Sequence, residues 1–325
     1  IEINVGGMAS GDVIALVNYM NQILIELVKL ANLIVQVSKA LACAGRVQAV
    51  LDTKPGMDFP AELRSEVPAD KAGDAVRFDH VSLTYAGAGA PSLSDISFTA
   101  KRGQTIGVIG GTGSGKSSLV NLIPRFYDAT EGTVKVGGRD VRDYDLTALR
   151  DAVGIVLQKN LLFSGTIRDN LRWGDPNADD ETLWAACRAA CADEFLERMP
   201  DGLGTDMGQG GVNVSGGQKQ RLSIARAIAK HPKIYLFDDS FSALDVKTDK
   251  TLRMRLRESM GDSTMLIVAQ RVGSILDADR ILVMEDGQIV GRGKHRELLH
   301  TCPLYREIAE LQLGEEEVKH ELECV

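Results

Sequence analysis

One short stretch of glycine, lysine and serine constrains this chain more than any other feature of its sequence. Residues 110–117 read Gly-Gly-Thr-Gly-Ser-Gly-Lys-Ser, which fits the pattern G-x-x-x-x-G-K-[ST] at every position. An apolar run precedes them at 105–110, and a helix-like segment follows. A glycine-rich turn between a strand and a helix allows successive backbone N–H groups to surround a phosphate. The pattern therefore predicts a phosphate-binding loop in an α/β fold.

Each residue type in this loop has a separate task. The glycines allow the tight backbone path, the Lys116 ammonium suits the β- and γ-phosphates, and the Ser117 hydroxyl is a hard oxygen ligand for Mg²⁺. A second magnesium ligand is expected where the apolar run 233–239 ends, at Asp238. The residues predicted to bind the phosphates of a nucleotide are Gly110, Gly111, Thr112, Gly113, Ser114, Gly115, Lys116 and Ser117.

Alternating apolar and helix-like segments predict the architecture around this loop. Four apolar runs have the composition of buried strands in a mainly parallel sheet, and a hairpin is expected at 280–293 with its turn at Asp286-Gly287. The predicted parallel strands are 105–110, 154–158, 233–239 and 264–270. The expected fold class is therefore α/β.

A second predicted helix start has the character of an anion site. Residues 214–218 read Val-Ser-Gly-Gly-Gln, and a helix rich in Ala, Ile and Arg follows. Ser215 is a plausible N-cap, and the helix start presents backbone amides and a partial positive charge. Either both helix starts serve one nucleotide, or each serves a different nucleotide in a head-to-tail dimer.

The N-terminal part of the chain has a different composition. Residues 13–37 contain no Pro or Gly and are long enough to cross a bilayer, but Glu26 and Lys29 are costly for a helix alone in lipid. The segment fits one helix of a membrane bundle or a long amphipathic helix of a soluble protein. The first residue is Ile1, and we expect a chain cut from something longer. The predicted domains are 1–51, a linker at 52–74, an α/β domain at 75–314, and a solvated acidic helical tail at 315–325.

The composition excludes several classes of protein. The formal net charge is −8, which argues against non-specific nucleic-acid binding because that requires a basic face. The five cysteines are few for a chain of this length and odd in number, so they do not form a disulfide framework.

Taken in order, these motifs resemble the ATP-binding-cassette (ABC) transporters, specifically the exporters in which membrane and nucleotide domains are fused. Residues 214–218 are similar to the family's signature sequence, and the resemblance covers about residues 13–313. It implies an ABC nucleotide-binding domain with antiparallel and helical subdomains, preceded by the last transmembrane helix, and with ATP and Mg²⁺ as cofactors. The resemblance extends the nucleotide-binding loop to Ser118. Beyond this loop and Asp238, the residues that carry the resemblance are Tyr85 (adenine stacking), Gln158 (Mg²⁺ and water), Ser215, Gly216, Gly217 and Gln218 (signature) and Asp245 (partner contact).

Two positions depart from the family pattern, and both belong to the chemistry. Asp239 stands where the family usually has Glu, which polarises the attacking water, and Gln270 stands where it usually has His. One methylene fewer withdraws the carboxylate by roughly 1.5 Å, and a misplacement of about 1 Å can reduce a rate 10²-fold. A neutral amide also lacks the charge of a protonated His. The expectation is a site that holds MgATP and hydrolyses it slowly.

The signature is nearly intact, whereas the catalytic positions Asp239 and Gln270 are altered. The hypothesis is therefore one half of a heterodimeric exporter in the cell membrane, with its nucleotide domain in the cytoplasm and its signature completing the faster site of a non-identical partner. The alternatives are a homodimeric exporter with a slow but working site, and a soluble ABC ATPase acting on nucleic acid or the ribosome. Drugs, lipids and peptides all remain candidate cargo, and no nucleic-acid partner is expected.

Overall fold

A single long helix dominates the first of the two units into which the chain divides, residues 1–58. The computed structural model describes residues 10–53, 56–57, 65–67 and 73–323. Helix α1 spans Ser10–Leu51, and its 42 residues correspond to a length of about 63 Å. None of them is buried, and α1 is the one helix in the described ranges that is long and apolar enough to cross a membrane. A continuous helix over 13–37 is confirmed, while much of the predicted linker lies outside the described residues.

The second unit, residues 59–325, has an α/β architecture. Its strands are β1 Asp74–Leu83, β2 Leu93–Lys101, β3 Thr105–Gly110, β4 Glu131–Val136, β5 Arg139–Asp140, β6 Val153–Val156, β7 Gly165–Thr166, β8 Asp206–Met207, β9 Ile234–Asp238, β10 Thr264–Val268, β11 Arg280–Glu285 and β12 Gln288–Gly293. Its helices are α2 Lys116–Leu122, α3 Leu146–Asp151, α4 Ile167–Arg172, α5 Asp180–Ala189, α6 Asp193–Leu196, α7 Gly216–Ala229, α8 Val246–Met260, α9 His295–Thr301, α10 Pro303–Leu313 and α11 Glu315–Glu323.

A six-stranded sheet in the order β12-β11-β3-β10-β9-β6 forms the centre of this unit. The neighbouring pairs from β11 to β6 are parallel, and β12 pairs antiparallel with β11. This confirms the mainly parallel sheet and the hairpin at 280–293. Val268 at the end of β10 lies opposite Asp238 and Val108. The carboxyl ends of β3, β9 and β10 therefore meet at one edge of the sheet, where open α/β sheets bind ligands.

The two faces of the central sheet pack against different partners. Val108, Leu236 and Leu266 share one buried cluster with Leu119 and Val120 of α2 and with the antiparallel sheet β2-β1-β4-β5. The alternate residues of the same strands face the other way and pack with α5, α7 and α8. Because side chains alternate along a strand, helix α2 is fixed between two sheets, and the loop before it is held in place.

Several strand ends and the C-terminal tail differ from the sequence prediction. The strands expected at 233–239 and 264–270 end at Asp238 and Val268. The strand expected at 154–158 ends at Val156, so Gln158 lies beyond the sheet and its side chain is free to turn toward the ligand edge. The C-terminal segment is helical, as predicted, but a fully solvated tail is wrong. Val318 is buried, and the Glu321 carboxylate lies 2.6 Å from Nε2 of His295.

Candidate functional site

The phosphate-loop sequence forms the connection between β3 and α2. Gly110 and Gly115 both have positive φ, at 157° and 92°. A Cβ atom at Gly110 would lie 2.1 Å from the carbonyl oxygen of Met284, and one at Gly115 would lie 2.7 Å from that of Ser92. Neighbouring backbone therefore requires glycine at both fixed positions of the motif, since only glycine has no Cβ atom to clash.

Lys116 begins helix α2, and its side chain folds back over the loop. Its Nζ donates to the carbonyl oxygens of Gly110 and Gly111 at 2.9 and 2.6 Å. Burial lowers the pKa of Lys116, while the carboxylates of Asp238 and Asp239 oppose that shift. The ammonium group thus lies at the mouth of the loop, beside two carboxylates, as expected for a residue that meets a polyphosphate.

Ser117 and Asp238 meet where the two motifs converge. The Ser117 hydroxyl donates to Oδ1 of Asp238 at 3.1 Å, and Asp238 is the last residue of β9. Burial raises the pKa of Asp238, and the neighbouring Asp239 raises it further. A hydroxyl and a carboxylate oxygen side by side fit Mg²⁺, which prefers one or two protein oxygens together with phosphate and water.

Asp239 holds a strained position directly after the strand. Its φ is +51°, which is uncommon for a residue with a side chain and is often found at functional sites. Its carboxylate Oδ2 accepts hydrogen bonds from Nε2 of Gln270 at 2.6 Å and from Nε2 of Gln158 at 3.1 Å. Burial raises the pKa of Asp239, whereas hydrogen bonds from Gln158 and Ser242 and the charges of Lys116 and Arg271 oppose the rise. The two residues that depart from the family pattern therefore touch each other.

These groups share one cavity of about 370 Å³ at the carboxyl edge of the sheet. The predicted site residues that line it are Gly110, Gly111, Thr112, Gly113, Lys116, Ser117, Gln158, Asp238, Asp239 and Gln270. Ser114 is buried within the loop, where its Oγ lies 3.2 Å from Nζ of Lys116. The arrangement combines a cation, amide donors and a cation-binding oxygen pair in one opening, so it can hold a nucleoside polyphosphate with its metal ion.

Tyr85 lies beside the phosphate loop but does not line this cavity. Its hydroxyl donates to Oγ of Ser118 at 2.9 Å, and its ring meets Tyr127 edge-on at 4.9 Å. The ring is half-buried, and Tyr127 is exposed. An aromatic pair therefore lies next to α2, beside the phosphate loop.

The second helix start lies apart from the cavity. Ser215 caps α7 through a reciprocal pair in which its N–H donates to Oε1 of Gln218 at 2.8 Å and its Oγ accepts from the Gln218 N–H at 3.3 Å. Asp245 caps α8 by accepting from the Thr248 N–H at 3.0 Å, and hydrogen bonds from the side chain and the backbone of Thr248 lower the pKa of Asp245. In the described part of the chain, neither 215–218 nor Asp245 lines the phosphate-loop cavity.

Two glutamines near the site carry contacts that the sequence patterns did not predict. Gln220 is buried on α7, and its amide accepts from the Ala243 N–H and donates to the carbonyl oxygen of Asp239, at 3.2 and 3.4 Å. Gln312 on α10 lines the cavity. The sequence contains one indication of this role, since Gln220 is a polar residue on the apolar face of α7. Its bonding partners could not be identified from the spacing of residues in the sequence.

Comparison with known proteins agrees with this geometry. Residues 93–242 match the protein family described as ABC transporter. The chain is 44% identical over 315 residues to an uncharacterised ABC transporter ATP-binding protein of Mycobacterium tuberculosis, covering 96% of this chain and 53% of that protein. It is 38% identical over 307 residues to an ATP-dependent lipid A-core flippase of Methylobacillus flagellatus, covering 93% of this chain and 52% of that protein.

A solved structure of a bacterial Atm1-family ABC exporter with ATP bound is also similar, with 31% identity and a TM-score of 0.79. The match covers 96% of this chain and 54% of that one. The chain thus spans about half the length of the relatives it matches.

The fold and the cavity define a phosphate-loop nucleotide-binding domain with a mixed α/β core. Residues 93–242 match the ABC transporter family, and the fold is that of an ABC nucleotide-binding domain preceded by a long N-terminal helix.

Proposed function

We propose that this chain is the ATP-binding and ATP-hydrolysing part of one half of an ABC exporter, and that the other half is a non-identical chain. In this proposal, MgATP binding and hydrolysis between the two nucleotide domains drive the efflux of a substrate across the cell membrane. The site at this chain's own phosphate loop is slow. The observation that carries the proposal is the 2.6 Å hydrogen bond between Gln270 and Asp239.

The binding half of the proposal rests on the cavity. Lys116 would meet the β- and γ-phosphates, and the loop amides would surround them. Mg²⁺ would be held by Ser117 and Asp238 together with Gln158, and it would neutralise phosphate charge. Tyr85 would stack on adenine. The phosphate and metal assignments are supported by the convergence of the phosphate loop, Asp238 and Gln158 on one opening, and the adenine assignment by the position of Tyr85 beside Ser118 of the loop.

The slow-site half rests on the state of the Asp239 carboxylate. To orient an attacking water, a carboxylate needs an oxygen directed at that water. Here the amides of Gln270 and Gln158 hold the Asp239 carboxylate in one orientation, but the side chain is one methylene shorter than the Glu that is usual in the family, so its oxygens lie farther from an attacking water. Gln270 also adds no positive charge for a developing transition state. Both effects reduce hydrolysis and leave the phosphate and metal contacts in place.

The non-identical partner is supported by the position of the signature. Residues 215–218 form a well-capped helix start that does not line the cavity of the same chain. This favours the arrangement in which each helix start serves a different nucleotide. A chain with altered catalytic residues and an intact signature can complete a fast site only on a partner that has intact catalytic residues.

The exporter part of the proposal rests on α1 and on the relatives. At about 63 Å, the helix is longer than the roughly 30 Å hydrocarbon core of a bilayer, so it would extend beyond the lipid at one or both ends. Within α1, Glu26 and Lys29 form an ion pair at 2.7 Å, which reduces the penalty of charge in a bundle interior. The flippase and the Atm1-family exporter among the similar proteins support transport across a membrane.

An exposed aromatic pair on the nucleotide domain also supports attachment to a membrane part. Phe163 and Trp173 stack with their ring centroids 4.9 Å apart, yet they are 47% and 68% exposed. Leu161 is 65% exposed. Large apolar side chains left at a surface mark an interaction site, and these follow Gln158 in the chain, so a contact there could be transmitted to the nucleotide cavity.

In the proposed cycle, two ATP molecules join the nucleotide domains, and hydrolysis at the fast site breaks the γ-phosphate contacts and releases them. The membrane helices follow as rigid bundles that open to either side in turn. Slow turnover at this chain's own site would keep one nucleotide in place while the other site cycles.

The test is an ATPase assay on the full-length protein, alone and together with the exporter half encoded beside it. We expect the mixture to be faster than either chain alone. Restoring the usual residues with Asp239→Glu and Gln270→His should raise the mixture's rate and give this chain a measurable rate by itself. Ser215→Ala should slow the mixture. Equal rates for the chain alone and the mixture, with ATP-dependent transport by the chain alone, would establish the homodimeric alternative instead.

A further inference from the structure

The C-terminal helix α10 reaches the nucleotide cavity with its last turn. Ile308, Leu311 and Gln312 line the opening together with Gln270. The other face of α10 is anchored in the core, where Tyr305 and Ala309 are fully buried and the Tyr305 hydroxyl lies 2.7 Å from Nδ1 of His295. Helix α10 is thus fixed in the core and presents one polar side chain, Gln312, to the segment that follows β10.

Gln312 makes a two-point contact with the backbone of that segment. Its Nε2 donates to the carbonyl oxygen of Gln270, and its Oε1 accepts from the N–H of Val272, both at 2.8 Å. One amide therefore spans residues 270–272 and satisfies a backbone donor and a backbone acceptor together. A planar amide bonded at both ends has little rotational freedom, so it fixes the peptide that carries the Gln270 side chain.

The segment 270–272 has a second attachment on its opposite side. The Arg271 guanidinium donates to the carbonyl oxygens of Leu244 and Ser242 at 3.2 and 3.3 Å. Gln270 and Arg271 are themselves exposed, whereas Val272 is fully buried. Packing therefore fixes the far end of the segment and leaves Gln270 to its hydrogen bonds. Of the described residues, Arg271 and Gln312 supply the side-chain hydrogen bonds to or from 270–272, apart from the bond between Gln270 and Asp239.

From this geometry we propose that Gln312 is a positioning residue for hydrolysis at this chain's own site, acting through the backbone of residues 270–272. It holds the Gln270 amide at the Asp239 carboxylate. The inference rests on the proposed function, because it assigns a part in that reaction to a residue outside the matched family segment 93–242.

Removing the Gln312 side chain would affect the reaction through two linked contacts, Gln312 with the 270–272 backbone and Gln270 with Asp239. Without Gln312, the 270–272 backbone loses its fixed orientation on one side, and the Gln270 amide is no longer held at 2.6 Å from Asp239. Displacements of about 1 Å at a reacting centre can lower a rate 10²-fold. The phosphate loop and Asp238 do not contact Gln312 through a hydrogen bond, so nucleotide binding should be preserved.

The experiment measures single-turnover ATP hydrolysis and ATP affinity in the assembled full-length transporter. Gln312→Met keeps the bulk of the side chain and removes both hydrogen bonds. Glu307→Met is the matched control, since Glu307 is exposed on the same helix away from the cavity. We expect Gln312→Met to lower the hydrolysis rate at this chain's site by roughly 10-fold or more, to leave the ATP Kd within about twofold, and the control to match wild type.

A double-mutant cycle separates positioning from a structural role. If Gln312 acts through Gln270, then Gln312→Met should add little to the effect of Gln270→Ala, whereas independent effects would multiply. Gln312→Glu is the second variant should Gln312→Met fold poorly. It retains the acceptor for Val272 but directs a carboxylate oxygen at the Gln270 carbonyl, so it should also slow hydrolysis.

The outcomes are distinct. An unchanged rate in Gln312→Met, a rise in Kd that matches the fall in rate, or full multiplicativity with Gln270→Ala would overturn the inference while leaving the proposed function intact. A wild-type transporter that neither binds nor hydrolyses ATP would overturn both.

Discussion

The glycines of the phosphate loop can be ranked by what an added methyl group would meet, and this ranking gives a quantitative test of the structure. Gly111 has ordinary φ, and a Cβ atom added there would meet nothing within 4 Å. Gly113 also has open space but adopts φ +83°. Gly115 combines φ +92° with a Cβ position 2.7 Å from the Ser92 carbonyl oxygen. Alanine substitutions at the three positions should therefore destabilise the domain to different extents.

The magnitudes follow from two separate costs. Left-handed backbone costs alanine roughly 1–2 kcal/mol, and forcing a methyl group into an occupied space costs about 1–3 kcal/mol more. Gly111→Ala should thus stay within about 0.5 kcal/mol of wild type. At roughly 2–4 °C per kcal/mol for a domain of this size, Gly113→Ala should lower Tm by about 2–8 °C and Gly115→Ala by about 4–20 °C.

The assay is thermal unfolding of the full-length protein in detergent without nucleotide, followed by a fluorescence probe in the domain at residues 59–325. Working without nucleotide matters because bound ligand stabilises the folded state by mass action. The order of the three Tm values is the result that decides. If Gly111→Ala lost as much stability as Gly115→Ala, or if Gly113→Ala lost more than Gly115→Ala, the loop geometry described above would be wrong.

Three further predictions concern charge, the adenine site and the signature. Burial raises the pKa of Asp239. The protonated carboxyl therefore stabilises the folded state fully at pH values below its unfolded pKa of about 3.9, and this stabilisation is lost as pH rises through the folded pKa. Asp239→Asn should therefore raise Tm without nucleotide at pH 8 but not near pH 4; equal shifts at both pH values would contradict this. Tyr85→Ala should weaken ATP binding by roughly 5–100-fold if a base stacks there, whereas Tyr85→Phe, which loses the bond to Ser118, should bind within a fewfold of wild type by fluorescent-nucleotide titration. Ser215→Ala removes one bond of the α7 capping pair and should cost about 1 kcal/mol of stability, with ATP affinity at this chain's own loop unchanged; a parallel loss of that affinity would place Ser215 in the same cavity.

Local patterns in the sequence were enough to predict the central sheet. Its buried strands lie within short apolar runs, and the run predicted at 264–270 contains the five-residue strand Thr264–Val268. The end of β6 could not be predicted in this way, because it is set by the pairing of Val156 with Phe237 and not by composition. Gln158 leaves the strand for that reason.

The long-range contacts in and around the site could not be predicted, because they join residues that are distant in the chain. Gln312 bonds to the backbone 40 and 42 positions earlier, and His295 meets Glu321 across two helices. Neither contact has a local pattern. By contrast, Asp239 and Gln270 were identified as departures from a family pattern, and the structure adds the direct hydrogen bond between them.

Gln220 has a consequence for how such a chain can change over evolutionary time. Its buried amide joins the helix that begins at Ser215 to the peptides of Asp239 and Ala243. In the proposed pair of chains, the helix start at Ser215 completes the partner's nucleotide site, while Asp239 belongs to this chain's own slow site. Mutations that disturb the backbone at Asp239 would therefore also disturb the helix start at Ser215. Selection to keep that helix start intact limits how far the slow site can change.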